Sequence, residues 1–273
     1  MNRKFFLALL LALFAWSLSA QTVRKVENIR YTDSTDPYAQ ERCLLDVFYP
    51  EGARDLPVVV WFHGGGLTGG DKQWTPAALL DGSFVVVRAN YRLIPKVHVQ
   101  VCIEDAAAVV AWAFRHAAEY GGSPDKIFVS GHSAGGYLTD LVGLDKHYLA
   151  AWGIDADRIA GLIPFSGQVV SHYSYRKTLG IGELQPIIDQ YAPLYHIRPD
   201  APPIVIISGD RETELYGRYE ETAYFWRMLK IAGHPDVHLY ELQGYDHGSM
   251  ADPAVPILKD HVKRILDKQK SSI

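Results

Sequence analysis

Two glycine-flanked stretches hold residues of a type and spacing suited to acyl transfer. The first is Gly131-His132-Ser133-Ala134-Gly135-Gly136, which follows the apolar residues 127–129 and precedes a helical pattern. A serine in G-x-S-x-G at a strand-to-helix turn sits on a sharp, strained corner that exposes its hydroxyl. Small residues two before and two after it avoid steric clash. The second is His63-Gly64-Gly65-Gly66, directly after the apolar run at residues 57–62. Three glycines let the backbone turn its N–H groups toward a bound oxygen, and each such donor stabilises a tetrahedral oxyanion by roughly 3 kcal/mol. The expected donors are Gly65 and Gly66, with the Ala134 N–H after the serine. His63 itself reads as structural. The competing reading makes the first a glycine-rich turn needed only for packing and the second a flexible turn.

These loops need a scaffold, and the chain's periodicity describes one. Residues 26–31 and 43–49 read as two early strands separated by the turn cluster Asp33 to Pro37, with the partial alternation of a half-covered antiparallel edge. Residues 57–62, 84–89, 127–129, 162–165 and 204–207 are unbroken apolar runs, as in strands covered on both faces. Helical patterns separate them, at residues 101–120, 137–144, 219–231 and 255–266. Gly121 and Gly122 end the first of these, and Ser123-Pro124-Asp125 turns into the next strand. The alternation predicts an α/β fold with a mostly parallel central sheet, an antiparallel N-terminal edge and helices on both faces. Residues 168–203 follow neither period and hold Tyr173, Tyr175, Tyr191 and Tyr195; they read as an insertion or lid. The run Arg218, Tyr219, Glu220 and Glu221 reads as a solvated helix face.

Composition narrows the class. The chain has 273 residues, 48% hydrophobic and 21% charged, with a formal net charge of −4. This excludes a disordered or collagen-like chain and a polytopic membrane protein, and it offers no basic face for nucleic acid. Asn2-Arg3-Lys4, an apolar run at residues 5–16 and Ser17-Leu18-Ser19-Ala20 have the layout of a secretory signal peptide. The run is too short to span a bilayer, which needs about 20 helical residues. The reading is a signal peptide at residues 1–20, cleaved after Ser19 or Ala20, then a single domain over residues 21–273. That domain would be exported to the periplasm or beyond, with no stable membrane anchor. Cys43 and Cys102 are two buried thiols or one bridge.

HGGG, Asn90-Tyr91-Arg92-Leu93, Ile103-Glu104-Asp105-Ala106 and GHSAGGYL together resemble the α/β-hydrolase superfamily of esterases and lipases. The resemblance is greatest to secreted bacterial carboxylesterases of the feruloyl- and acetyl-ester type, over about residues 40 to 265. It implies a nucleophile Ser133 followed in chain order by an acid and a histidine. His234 lies in a turn, His238 in a strand and His261 in a helix. His247 lies in the loop after the strand at Val237–Leu242, where the resemblance places the base. The same resemblance puts the acid just after the strand at residues 204–207: Glu212, with Asp210 as the alternative. Leu67 follows HGGG where such esterases often carry Trp. The implied partner is a small-molecule or oligosaccharide ester, with no cofactor and no metal. Rival readings are an amide-cleaving relative, such as an arylformamidase or small peptidase, and an inactive binding protein on the same fold. Asp105 reads as favouring a helix N-terminus, and Arg92 as its ion-pair partner.

Overall fold

Strand β3 (Leu56–Phe62) shows why an unbroken apolar run forms a strand here. Val58, Val60 and Phe62 pack into one hydrophobic cluster and Val59 and Trp61 into another, all fully buried. The two-residue period of a strand sends alternate side chains to opposite faces, so both faces must be covered. Burying each such side chain is worth about 1.5–3 kcal/mol.

The computed structural model describes residues 22–215 and 217–271; the expected signal peptide at residues 1–20 lies outside them. Along with β3 the strands are β1 (Val23–Arg30), β2 (Leu44–Pro50), β4 (Val85–Ala89), β5 (Gly122–His132), β6 (Gly161–Phe165), β7 (Ile204–Gly209) and β8 (Val237–Leu242). They form one eight-stranded sheet in the order β1-β2-β4-β3-β5-β6-β7-β8. β2 runs antiparallel to both β1 and β4; every other pairing is parallel. The expected sheet is therefore the one formed. β5 is longer than its apolar centre: Gly122 already pairs with Leu56, so Ser123 to Asp125 belong to the strand and not to a turn.

The helices are α1 (Pro37–Arg42), α2 (Val99–His116), α3 (Ala134–Leu144), α4 (Lys146–Ala150), α5 (Tyr173–Thr178), α6 (Arg218–Ile231) and α7 (Ala251–Lys270). One cluster joins β3, β4 and β5 to α2, α3 and α6; the other joins the opposite face to Ala254, Val255, Leu258, Val262 and Ile265 of α7. Those α7 residues lie on one stripe, as a helix that covers a sheet requires. α1 replaces part of the expected turn cluster: Pro37 occupies its first turn and the Asp36 carboxylate accepts from the Tyr38 and Ala39 N–H groups. Cys43 and Cys102 are both buried free thiols.

β3 and β5 are neighbours, with Phe62 opposite Gly131. β4 lies on one side of this pair and β6 on the other, so the strand order reverses there. Loops at the carboxyl ends of strands meet at such a switch point, which is where α/β sheets bind ligands.

Candidate active site

Ser133 lies between β5 and α3 with φ 57° and ψ −115°, a conformation that a non-glycine residue holds only at a cost of about 1–3 kcal/mol. Its N–H is fixed by the Phe165 carbonyl at 2.8 Å. The turn closes only because Gly135 lacks a side chain: a Cβ there would stand 2.0 Å from the Phe62 carbonyl oxygen. Sequence spacing and backbone crowding thus place the hydroxyl at the end of β5.

The Ser133 hydroxyl donates to His247 Nε2 at 2.8 Å. On the other side of the ring, His247 Nδ1 donates to Glu214 Oε1. His132 Nε2 donates to the His247 carbonyl at 2.6 Å, which steadies the histidine loop. Burial lowers the His132 pKa to about 4, so this neighbouring ring stays neutral near pH 7.

The carboxylate on the imidazole corrects the expectation from sequence. Neither Glu212 nor Asp210 bonds His247. After β7 the chain makes one helical turn, with the Glu214 N–H bonded to the Asp210 carbonyl at 2.8 Å, and this brings Glu214 inward while Glu212 stays exposed. Asp210 holds the turn itself. Its carboxylate accepts from the Glu212 N–H at 2.9 Å and, across to the histidine loop, from the Gly244 N–H at 2.7 Å. The Glu214 side chain is 1% exposed. Burial alone would raise its pKa. The His247 bond and charge, Ser166 Oγ and the Leu215 N–H outweigh that and bring it to about 2. The Gly209 N–H also reaches Glu214 Oε2, at 3.2 Å. Glu214 was legible only as a third carboxylate in the same short run.

The glycine loop after β3 lies against the nucleophile: a Cβ on Gly64 would be 3.3 Å from Ser133 Cβ. Gly66 has φ 64°, and a side chain there would run into the Tyr173 hydroxyl. Among the described residues no acceptor takes the N–H of Gly65 or Gly66, and Ala134 opens α3, where the first N–H groups have no partner within the helix. The loop is braced from behind. Tyr91 stacks on His63 at 4.4 Å and donates to its carbonyl at 2.8 Å. The Leu67 carbonyl accepts the Ile94 N–H at 2.8 Å. Arg92 grips Asp105 through Nε at 2.9 Å and Nη2 at 2.7 Å. Asp105 sits within α2, so its part is this ion pair and not a helix N-terminus.

Residues 168–203 pack against this end of the sheet. Ser174 Oγ donates to the Gly66 carbonyl. Tyr175 and Tyr191 pack on each other and on His98, with ring centroids 5.1–5.3 Å apart, whereas Tyr195 is exposed. Of the four tyrosines, Tyr173 is the one over the glycine loop. Two cavities border residues of these loops. One of about 510 Å³ is lined by Trp61, Gly64, Trp74, His132, Gly248 and Asp252, among others. The other, of about 260 Å³, is lined by Gln168, Tyr173, Glu183, Leu184, Leu215 and Arg218. Arg218 departs from the expected solvated helix face: it is 3% exposed.

Residues 45–173 match the family model described as BD-FAE. Carboxylesterase NlhH of Mycobacterium tuberculosis is 41% identical over 101 residues, 35% of this chain and 32% of that one. A probable isoprenylcysteine alpha-carbonyl methylesterase of Arabidopsis thaliana, ICMEL1, is 32% identical over 241 residues, 78% of this chain and 50% of that one. The chain thus spans about a third to a half of the length of these curated relatives. Esterase B from Lactobacillus rhamnosis has a similar structure, with a TM-score of 0.73 at 18% identity over 98% of this chain and 94% of that one, a likeness of fold.

Proposed function

We propose that this chain, an α/β-hydrolase, is a serine carboxylesterase that works through Ser133, His247 and Glu214. The observation that carries the reading is the unbroken line from Glu214 through His247 to the Ser133 hydroxyl, beside N–H groups that no acceptor among the described residues takes. His247 Nε2 accepts the Ser133 proton as the oxygen attacks the ester carbonyl. The oxyanion rests on the N–H groups of Gly65, Gly66 and Ala134. Glu214, ionised far below neutral pH, fixes the imidazole tautomer and faces the charge that forms on the ring. The imidazolium then protonates the leaving alcohol, and water repeats the sequence on the acyl-enzyme.

The larger cavity serves the alcohol, because Gly248 and His132 place it beside the base that must protonate that oxygen. Trp74 on its wall is 62% exposed and its carbonyl accepts from the Trp61 indole at 3.2 Å. An exposed indole on a cavity wall is a flat apolar platform that suits a sugar face. This supports a polysaccharide alcohol, with acetyl and feruloyl groups as the first acyl candidates from sequence. The basic, then apolar, N-terminal run supports export of the enzyme.

The test is hydrolysis of p-nitrophenyl acetate and butyrate by the purified protein beside Ser133→Ala. The reading requires turnover that the variant loses by at least a thousandfold; equal rates in the two proteins would overturn it. Acetylated and feruloylated oligosaccharides, assayed the same way, decide between the two acyl candidates.

A further inference from the structure

Arg218 is a buried cation with little in direct contact to balance its charge. It is 3% exposed, yet no carboxylate lies within 4.0 Å of it among the described residues. Among the described residues its guanidinium makes one hydrogen bond, from Nη1 to the Ser166 carbonyl at 2.5 Å. It opens α6, at the positive end of that helix, where a cation is unfavourable. A second buried guanidinium, Arg176, adds repulsion; it bonds the carbonyls of Ser171 and Glu183, and among the described residues its Nε has no partner. Glu214 and Glu221 attract Arg218 from further off, but both are engaged, Glu214 with His247 and Glu221 with the Gln168 side chain and the Val169 N–H at 3.4 Å. Glu183 lines the same cavity as an exposed residue. A charge taken from water with so little compensation is costly unless something else pairs with it.

What remains open to Arg218 is the 260 Å³ cavity that it lines with Tyr173, Gln168 and Leu215. This cavity adjoins the reaction centre twice over. Tyr173 stands over Gly66, and Leu215 follows Glu214 directly. It includes none of the residues next to the base that line the alcohol-side cavity. A group seated in it therefore belongs to the acyl part of the ester.

We propose that Arg218 binds an anionic group at the far end of the acyl chain, so that monoesters of dicarboxylic acids are a preferred acyl class. A guanidinium fork matches a carboxylate in geometry and charge. The inference rests on the esterase reading and adds a third acyl class to acetyl and feruloyl. Residues 168–203 supply Gln168, Tyr173, Glu183 and Leu184 to the wall of this cavity.

The test compares the mono-4-nitrophenyl ester of adipic acid with 4-nitrophenyl hexanoate, which has the same chain length and no terminal carboxylate. Wild-type enzyme is expected to favour the adipate by at least tenfold in kcat/KM. Arg218→Gln should cut that ratio by about thirtyfold or more, chiefly through KM, and Arg218→Lys should restore part of it. Binding of monomethyl adipate to Ser133→Ala by calorimetry reads the subsite without turnover; the Arg218→Gln, Ser133→Ala double variant should bind it at least tenfold more weakly. A wild-type ratio of one or less, or equal losses on both esters, would overturn the proposal. So would a preference for 3-carboxyphenyl acetate over phenyl acetate in place of the acyl effect. If Arg218→Gln does not fold, the wild-type ratio and binding to Ser133→Ala decide the matter. Ester hydrolysis that survives Ser133→Ala would sink the reading of Ser133 as nucleophile instead, and calorimetry would still judge the anion site.

Discussion

The loop after β3 and the loop after β7 supply the two ends of the same site, and they are built in opposite ways. The first, around Gly64 to Gly70, is pressed between Ser133, Tyr173 and the Tyr91–His63 stack, so side chains in place of its glycines would collide with their neighbours. The second, Asp210 to Leu215, is a mostly exposed turn that turns a single carboxylate inward. Where crowding fixes the backbone, residue type and spacing are enough to read the role. Where a surface turn presents Asp210, Glu212 and Glu214 together, the role depends on one helical turn, decided by the bond from the Glu214 N–H to the Asp210 carbonyl.

Substitutions can break this contrast. The largest effect is expected in the exposed loop: Glu214→Gln should lower kcat by about 10³–10⁴, because the imidazole loses its tautomer and the charge opposite it. Glu212→Gln should stay within about threefold of wild type. A large loss in Glu212→Gln with Glu214→Gln near wild type would return the acid to Glu212. In the crowded loop Gly66→Ala should cost about 10²-fold in kcat, since it both displaces Tyr173 and strains a left-handed residue whose N–H is proposed to serve the oxyanion. Cutting the brace behind that loop is expected to act on stability. Asp105→Ala leaves Arg92 without its bidentate partner and should destabilise the fold by about 3 kcal/mol, measured by urea denaturation.

The smallest expected effect is on the pH dependence of stability. The Glu214 pKa is depressed from an ordinary 4.5 to about 2, so its contribution to stability is fully present above pH 4.5 and is lost as pH falls toward 2. Glu214→Gln should flatten that part of the acid limb, as read by unfolding midpoints between pH 4.5 and 2. An unchanged slope would mean that the carboxylate is not held ionised by its neighbours.

Much of this was legible because burial dictates it. The run at residues 57–62 had to be a strand covered on both faces, and the G-x-S-x-G corner and the histidine after β8 are placed by strand ends. The α1 helix was hidden because Asp36 and Pro37 open a turn and a helix with the same residues. Arg218 was hidden because a charged residue beside Tyr219, Glu220 and Glu221 looks like a wet helix face. Burial of a side chain at the first turn of α6 depends on residues 168–203 folding back over it, and neither local period contains that information.

The most direct test of the central claim is trapping of the nucleophile. A fluorophosphonate should label the protein once, on the peptide that contains Ser133, and the stoichiometric label should abolish ester turnover; His247→Ala should slow labelling by at least a thousandfold. Labelling at any other serine, or full inactivation that leaves Ser133 unmodified, would contradict a reaction centred on Ser133, His247 and Glu214.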